Sequence, residues 1–521
     1  MVRVITSCSS VGPVTPAPVD RSRSCARWLF VTAAAFYLAT GSGLIHPSDG
    51  VVMFNVTESL SHGRLDIEQL PAWPGFGVTT VRDTQTGRAR SYAKYGIALS
   101  LLGVPLDWLA SAAEPLATAA DWRLLSEAAK PHLLYYEVDR RTFPRALRAF
   151  FVSGTNAFVV AITLSILFLL LVDLGFDLRL ALASAAIVGV ATPLWQAARD
   201  HFSEPLGALG VVGCLLFARR SAWRRAGAFL GLAIIAKPAH LMLAAPALLL
   251  VWGVADKHTP LVRAARLAAG VAPLIILVLV YNAARFGNPL ETGYGAEVHR
   301  WENPFLDGFL GLLVSPGRGF LLFAPLWILA VAAARELWRR CPVESLFALG
   351  VFASLLVTYA KWHMWEGGWC WGPRYLLPAV PLLGLPVAAT LERARDSKTT
   401  RVLAAVVVLV AAAVSWSGTR VDANDFSTVI GEQWKAQQEE ARERGFDTPW
   451  KALRWDPRAS PLRRYWTFEP AGNWLLPEAV RSPGEILAVL LGAAVVCLLA
   501  GGRLCILVHR RPGSAASASG P

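Results

Sequence analysis

Residues 28–50 read WLFVTAAAFYLATGSGLIHPSDG, an apolar run that ends in a polar, acidic mouth at His46-Pro47-Ser48-Asp49-Gly50. Trp28 to Leu44 is apolar enough and of a length to enter a bilayer as a helix. No convincing small-residue cleavage site precedes the His-Pro turn, so the run reads as a retained first span rather than a signal peptide. Residues 1–27 before it are polar and rich in Pro and Ser. They carry Arg21, Arg23 and Arg27 at the membrane edge and read as a disordered cytoplasmic start.

Working outward, apolar runs of the same kind recur as far as Leu507. The chain has 521 residues, of which 54% are hydrophobic and only 17% charged. A soluble chain of this length carries more charge. Backbone in lipid must satisfy its own hydrogen bonds, so the runs read as helices and the fold class as an all-α polytopic membrane protein. The net charge of +13 does not indicate nucleic acid, because the Arg and Lys sit in short loops between apolar runs, where orientation is set. The seven Cys show no paired spacing, which argues against a disulfide framework or a zinc site.

Four basic clusters orient the chain: Arg219–Arg225, Lys257–Arg266, Arg335–Arg340 and Arg393–Arg401. Placing them inside, with both termini, gives about ten full spans once the first is counted. The others lie near 150–172, 178–194, 203–218, 268–284, 319–334, 343–360, 374–390, 402–418 and 485–507. Residues 226–252 leave and return on one side as a half-helix hairpin broken at Lys237-Pro238. The run from Tyr95 to Ala113 is placed as a helix on or dipping into the outer surface, because a crossing there would invert the whole pattern. The expected organisation is a transmembrane module over 28–418 with a long first outer loop, 45–149, that contains juxtamembrane helices. An outer soluble segment at 419–484, a last span at 485–507 and a cytoplasmic tail at 508–521 follow it.

The outer face collects the polar residues. Asp49 sits just outside the first span, wet enough to ionise and low enough to meet a lipid headgroup; a helix-capping Asp reads the same way. Asp200 and Glu204 lie with Arg199 and His201 in the link 198–205, where a solvated ion-paired turn is the plainer reading. Lys237 in an apolar run needs a partner, a task or an interface to snorkel to. Arg318 in Ser315-Pro-Gly-Arg-Gly is able to fork onto phosphate, or to close a tight turn. The most distinctive run is 361–375, KWHMWEGGWCWGPRY, where Trp365, Glu366, Trp371 and Arg374 alternate with glycine. An aromatic belt explains its Trp residues but not its charges or its Gly-Gly. No phosphate loop, zinc-protease motif, nucleophile elbow or dinucleotide fingerprint is present. Asn55-Val56-Thr57 matches a glycosylation acceptor triplet.

The order of these pieces resembles the GT-C superfamily of integral-membrane glycosyltransferases, the group with the polyprenyl-phosphate-dependent, protein-mannosyltransferase-like family. The resemblance rests on Ser-Asp-Gly-Val-Val-Met-Phe around Asp49, Tyr-Gly-Ile-Ala-Leu-Ser-Leu-Leu from Tyr95 and Phe-Ser-Glu-Pro-Leu from Phe202. Ala-Lys-Pro from Ala236, Ser-Pro-Gly-Arg-Gly from Ser315 and Trp-Gly-Pro-Arg-Tyr from Trp371 complete it. It implies a sugar donor on polyprenyl phosphate, Asp49 as catalytic base and inversion at the sugar. The second acid is missing or is supplied by Glu58, Asp200 or Glu204, with Lys237, Arg318 and Arg374 toward the donor phosphate and Trp365, Glu366 and Trp371 toward sugar or acceptor. The family often pairs two adjacent acids in the first loop. Here Gly50 follows Asp49, which weakens the case for a bound metal; a divalent metal stays open without support, and no other cofactor is indicated. The implied partners are a lipid-linked sugar, membrane lipid and a glycan, lipid or protein acceptor. High Ala, Arg and Gly with little Lys suggests a GC-rich bacterial source, which places the chain in a bacterial plasma membrane with the active face outside. The competing reading is a lipid or glycolipid transporter or flippase.

Overall fold

The computed structural model describes residues 19–41, 43, 45, 48–69, 75–82, 87–116, 143–420, 423–446, 448–466, 499–504 and 506–507. The chain begins with α1 (Val19–Ala39) and α2 (Ser48–Ser61), followed by strands β1 (Val78–Arg82) and β2 (Ala89–Ala93) and then α3 (Ala98–Ala113). After these come α4 (Phe143–Ser153), α5 (Thr155–Asp173), α6 (Leu178–Val190), α7 (Glu204–Arg219), α8 (Trp223–Ala236), α9 (Ala244–Gly253) and α10 (Pro260–Phe286). The chain continues with α11 (Phe305–Val314), α12 (Trp327–Arg340), α13 (Pro342–Ala360), α14 (Gly384–Arg393), α15 (Lys398–Thr419), α16 (Ala423–Ala436) and α17 (Pro449–Trp455).

Three expectations change. The first helix starts at Val19, inside the stretch read as a polar start, because Ser22, Cys25 and Ala26 pack against the protein rather than solvent. The chain is not all-α: β1 and β2 pair antiparallel with Val78 opposite Ala93, built from Val, Thr and Tyr that favour a pleated surface. Among the described residues, five helical stretches are long and apolar enough to cross a membrane, and the count of ten is not reached. They are Arg145–Asp173, Pro260–Phe286, Pro342–Ala360, Arg374–Arg393 and Lys398–Thr419. Several runs read as spans fold into shorter pieces. The run 319–334 is divided by Pro325 into Phe320–Phe323 and α12. Most of the expected last span lies outside the described residues.

Capping chemistry sets the longest helix. Thr259 accepts the Val262 N–H, Pro260 opens the first turn, and α10 then runs 27 residues to Gly287, which closes it at φ 71°. At 1.5 Å per residue that is about 40 Å, enough to span a bilayer with tilt. Only 22% of its most apolar stretch is buried, so most of this helix lies on the outside of the protein, with an apolar surface suited to lipid.

The segment 226–252 folds back on itself. Trp223 at the start of α8 donates its Nε1–H to Asp256, just past α9, at 2.7 Å. The two ends therefore meet, and Lys237 stands at the tip, where a 3-10 turn (Pro238–Leu243) reverses the chain. The helix breaks there because Pro238 lacks an N–H and its ring disfavours helical geometry at Lys237, whose φ and ψ are −153° and 115°.

Helix α8 rests backbone to backbone on α10. A Cβ added at Gly227 would sit 2.0 Å from the Leu267 carbonyl oxygen, and one at Gly270 would sit 2.0 Å from that of Arg224. Small residues permit this approach in membranes, where packing rather than the hydrophobic effect drives helix association. Gly270→Val is expected to force the pair apart and lower stability by about 1–3 kcal/mol or more. Thermal unfolding of the detergent-solubilised protein measures this, with Gly431→Ala as the matched control, since a Cβ at Gly431 meets nothing within 4 Å.

Candidate active site

Four distant segments deliver charged side chains to one place. Asp49 lies in the first turn of α2, where the helix dipole favours a carboxylate. Glu204 opens α7; the link before it is held by Asn156 on α5, whose Nδ2 donates to the carbonyls of Asp200 at 2.6 Å and Phe202 at 2.8 Å. Lys237 comes from the hairpin tip. Arg374 opens the 3-10 turn Arg374–Leu383, directly after Gly372-Pro373.

Arg374 joins them. Its Nη2 lies 2.8 Å from Asp49 Oδ2 and its Nε 3.1 Å from Glu204 Oε1. Lys237 Nζ reaches the same Glu204 oxygen at 2.8 Å. Tyr95 donates its hydroxyl to the other oxygen of Asp49 at 2.7 Å. Burial and the neighbouring Asp49 push the Tyr95 phenol well above its usual range, so it remains a donor. Aromatic faces back the cations: the guanidinium of Arg374 lies 4.1 Å from the Phe202 ring, and Lys237 Nζ lies 4.0 Å over Tyr375, which stacks on Tyr359 at 4.2 Å.

These groups line one wall of a cavity of about 680 Å³. Its other walls carry Phe76, Tyr294, Trp301, Trp362, Trp369 and Trp450, and a second ion pair, Lys94 to Glu297 at 2.6 Å. Burial and then Asp49 hold the Tyr294 phenol above its ordinary value. A polar floor under aromatic walls suits a ligand with a charged group and a sugar-like or ring-shaped body.

Of the residues read from the sequence, Asp49, Glu204, Lys237 and Arg374 come together. The others do not. Asp200 accepts from Gln196 at 3.1 Å and does not line the cavity. Arg318 is buried and gives its guanidinium to the backbone carbonyls of Gly317, Glu366 and Gly368 at 2.8, 3.2 and 2.9 Å, so it shapes the loop rather than facing a phosphate. Glu366 pairs with Arg454 at 2.5 Å. Trp365 is fully buried, donating to Asp307 at 2.9 Å, and Trp371 packs among Phe323, Phe426 and Tyr465. Asn55 is 3% exposed, with its amide donating to the Glu68 carbonyl and accepting from Arg145, so its glycosylation triplet is not presented to solvent.

Lys94, Tyr294, Glu297, Trp301, Trp362, Trp369 and Trp450 also line the cavity, and none of them is singled out individually by the sequence. Lys94 was within reach, since it directly precedes the Tyr95 motif. The three of 294–301 sit in a polar loop with no local pattern of their own. Among the described residues, no group of three or more His, Cys, Asp or Glu is gathered as a metal site would need.

The class that fold and site define is a helical integral-membrane protein with a buried ionic and aromatic cavity. No family model matches the chain, and no curated protein does. Among solved structures, ArnT from Cupriavidus metallidurans bound to undecaprenyl phosphate is similar over 92% of this chain and 77% of that one, at 15% identity and a TM-score of 0.43. The apo state of ArnT from the same organism is similar over 90% and 75%, at 15% identity and a TM-score of 0.40.

His201 lies behind the site, fully buried against Gly50, with no hydrogen-bond partner on either ring nitrogen among the described residues. Burial lowers its pKa from the ordinary 6.5 to about 3. The unfolded chain therefore takes up this proton first on acidification. The stabilisation is whole above 6.5 and is lost as the pH falls from there toward 3. By about pH 5 the loss is expected to reach about 2 kcal/mol. Unfolding scans of wild type and His201→Gln across this range test it: the variant's stability should fall less steeply with acid.

Proposed function

We propose that this chain is a GT-C-type membrane glycosyltransferase that moves a sugar from a polyprenyl-phosphate donor to an acceptor hydroxyl, with inversion. The observation that carries the reading is the Asp49–Arg374–Glu204–Lys237 network at the floor of an aromatic cavity, assembled from the same motifs that carry the sequence resemblance. Asp49 is the base. The acceptor O–H gives its proton to the Asp49 carboxylate, the acceptor oxygen bonds to the anomeric carbon, and the bond from that carbon to the donor phosphate oxygen breaks. The leaving polyprenyl phosphate takes the electron pair.

Arg374, Lys237 and Lys94 face the space where that phosphate gains charge, and cations placed in advance stabilise it without reorganisation. At rest, Arg374 is shared between Asp49 and Glu204. A donor phosphate competes for the guanidinium, loosens its hold on Asp49 and leaves the carboxylate to accept a proton, while Tyr95 keeps it oriented. Trp362, Trp369 and Trp450 offer flat apolar faces to the sugar or acceptor. The transporter reading lacks a comparable observation, since the charged groups gather in one cavity around a candidate base.

Purified full-length protein, incubated with a panel of polyprenyl-phosphate sugars and candidate acceptors, tests the reading through loss of sugar from the lipid. Asp49→Asn is expected to lower turnover about 10²–10⁴-fold while donor binding persists. Trp369→Ala is expected to raise KM more than it lowers kcat. Full turnover in Asp49→Asn would move the base elsewhere, and donor translocation without sugar loss would favour the transporter.

A further inference from the structure

The proposed reaction does not use the far end of α8. With 14 residues, this helix separates Lys237 at the hairpin tip from its own first turn by about 21 Å. At that first turn lies a second, open cavity of about 460 Å³, lined by Ser221, Ala222, Trp223, Arg224, Arg225 and Arg266.

The charge balance there is uneven. The carboxylate of Asp256 is the anion built into this turn, and it is already occupied. It accepts from Trp223 Nε1 at 2.7 Å, from Arg263 Nε at 2.8 Å and from the His258 N–H at 2.8 Å. Asp173 is taken by Arg220 at 2.6 Å, and Glu344 by Arg219. Among the described residues Arg224, Arg225 and Arg266 have no carboxylate within ion-pair distance. The guanidinium of Arg225 lies 5.8 Å over Phe217, and Arg266 Nη1 meets His258 Nε2 at 2.6 Å. No side chain caps α8 at Ala222, and the leading N–H groups of a helix have no acceptor within it.

The surroundings point to lipid. Leu261, in the first turn of the helix that carries Arg266, is 80% exposed, Trp252 at the end of α9 is 66% exposed, and α10 continues as a largely exposed apolar helix. A phosphate held by the arginines would therefore have its acyl chains beside an apolar wall. Guanidinium forks match phosphate oxygens in pairs.

We propose that this cavity binds the phosphate headgroup of an anionic phospholipid, at the membrane boundary opposite the active cavity. Full-length protein in neutral detergent, titrated with phosphatidylglycerol or phosphatidylcholine and read by native mass spectrometry, tests this. The comparison is wild type, Arg224→Gln/Arg225→Gln/Arg266→Gln, and a control of equal charge change, Arg335→Gln/Arg393→Gln/Lys398→Gln. Wild type and control are expected to prefer phosphatidylglycerol by at least about tenfold, with the preference lost in the cavity variant. Arg266→Gln alone, an exposed position, should lose part of it and serves if the triple variant does not fold. Retained preference in the cavity variants, or equal loss in the control, overturns the site. Competition by glycerol phosphate at the lipid's own concentration overturns the lipid assignment in favour of a soluble phosphate ester.

Discussion

A guanidinium between two carboxylates holds together the half of this protein that carries the large cavity. Arg374 is 12% exposed at its side chain, Asp49 21% and Glu204 2%, so water contributes little to their solvation. Removing charges from water is costly, and the cost is offset only when each charge has a well-placed partner. With Lys237 as the second cation, two positive and two negative groups balance. The network also fixes the fold locally, because its members come from α2, α7, the hairpin tip and the 3-10 turn at Arg374. The same four groups are the reactants' contacts in the proposed chemistry. In that chemistry an incoming phosphate would meet cations already shared between carboxylates and would have to redistribute them.

Around this network the chain uses glycine to bring rings and backbone close. A Cβ on Gly311 would meet the Trp365 ring at 2.2 Å, and one on Gly418 the Trp371 ring at 2.5 Å. Those two tryptophans are thereby drawn into the core; the loop between them turns through Gly367 and Gly368, and Gly372 just after it, all at positive φ. The turns leave Trp362 and Trp369 on the cavity side. Arg318 anchors the loop by its carbonyls. Beyond it, the segment 449–461 closes over the Ser315 turn, with Ser460 bonding the Pro316 carbonyl at 2.6 Å and Gly317 bonding that of Arg454 at 3.2 Å.

Much of the architecture can be read from residue order. Apolar runs, basic loops and the Pro after Lys237 reveal a helical membrane chain with a reversal in its middle, since bilayer thickness and proline geometry act locally. Asp49, Glu204, Lys237 and Arg374 were each legible because a charge beside an apolar run demands a partner. Span counting was less legible: Pro325 and the 3-10 turns shorten runs that hydropathy joins. The β-hairpin was hidden for a similar reason, as five-residue strands in a polar loop carry little period.

The sequence by itself therefore determined the solvent, the helical class and the charged residues that need partners, because these follow from short-range chemistry along the chain. Only the tertiary structure decided which charge meets which. Asp49 and Arg374 are 325 positions apart, and nothing local distinguishes Arg374, which faces the cavity, from Arg318, which is turned into the backbone. The same holds for the tryptophans. Which ring is buried and which is presented depends on where a glycine on another helix leaves room, and that is a property of packing.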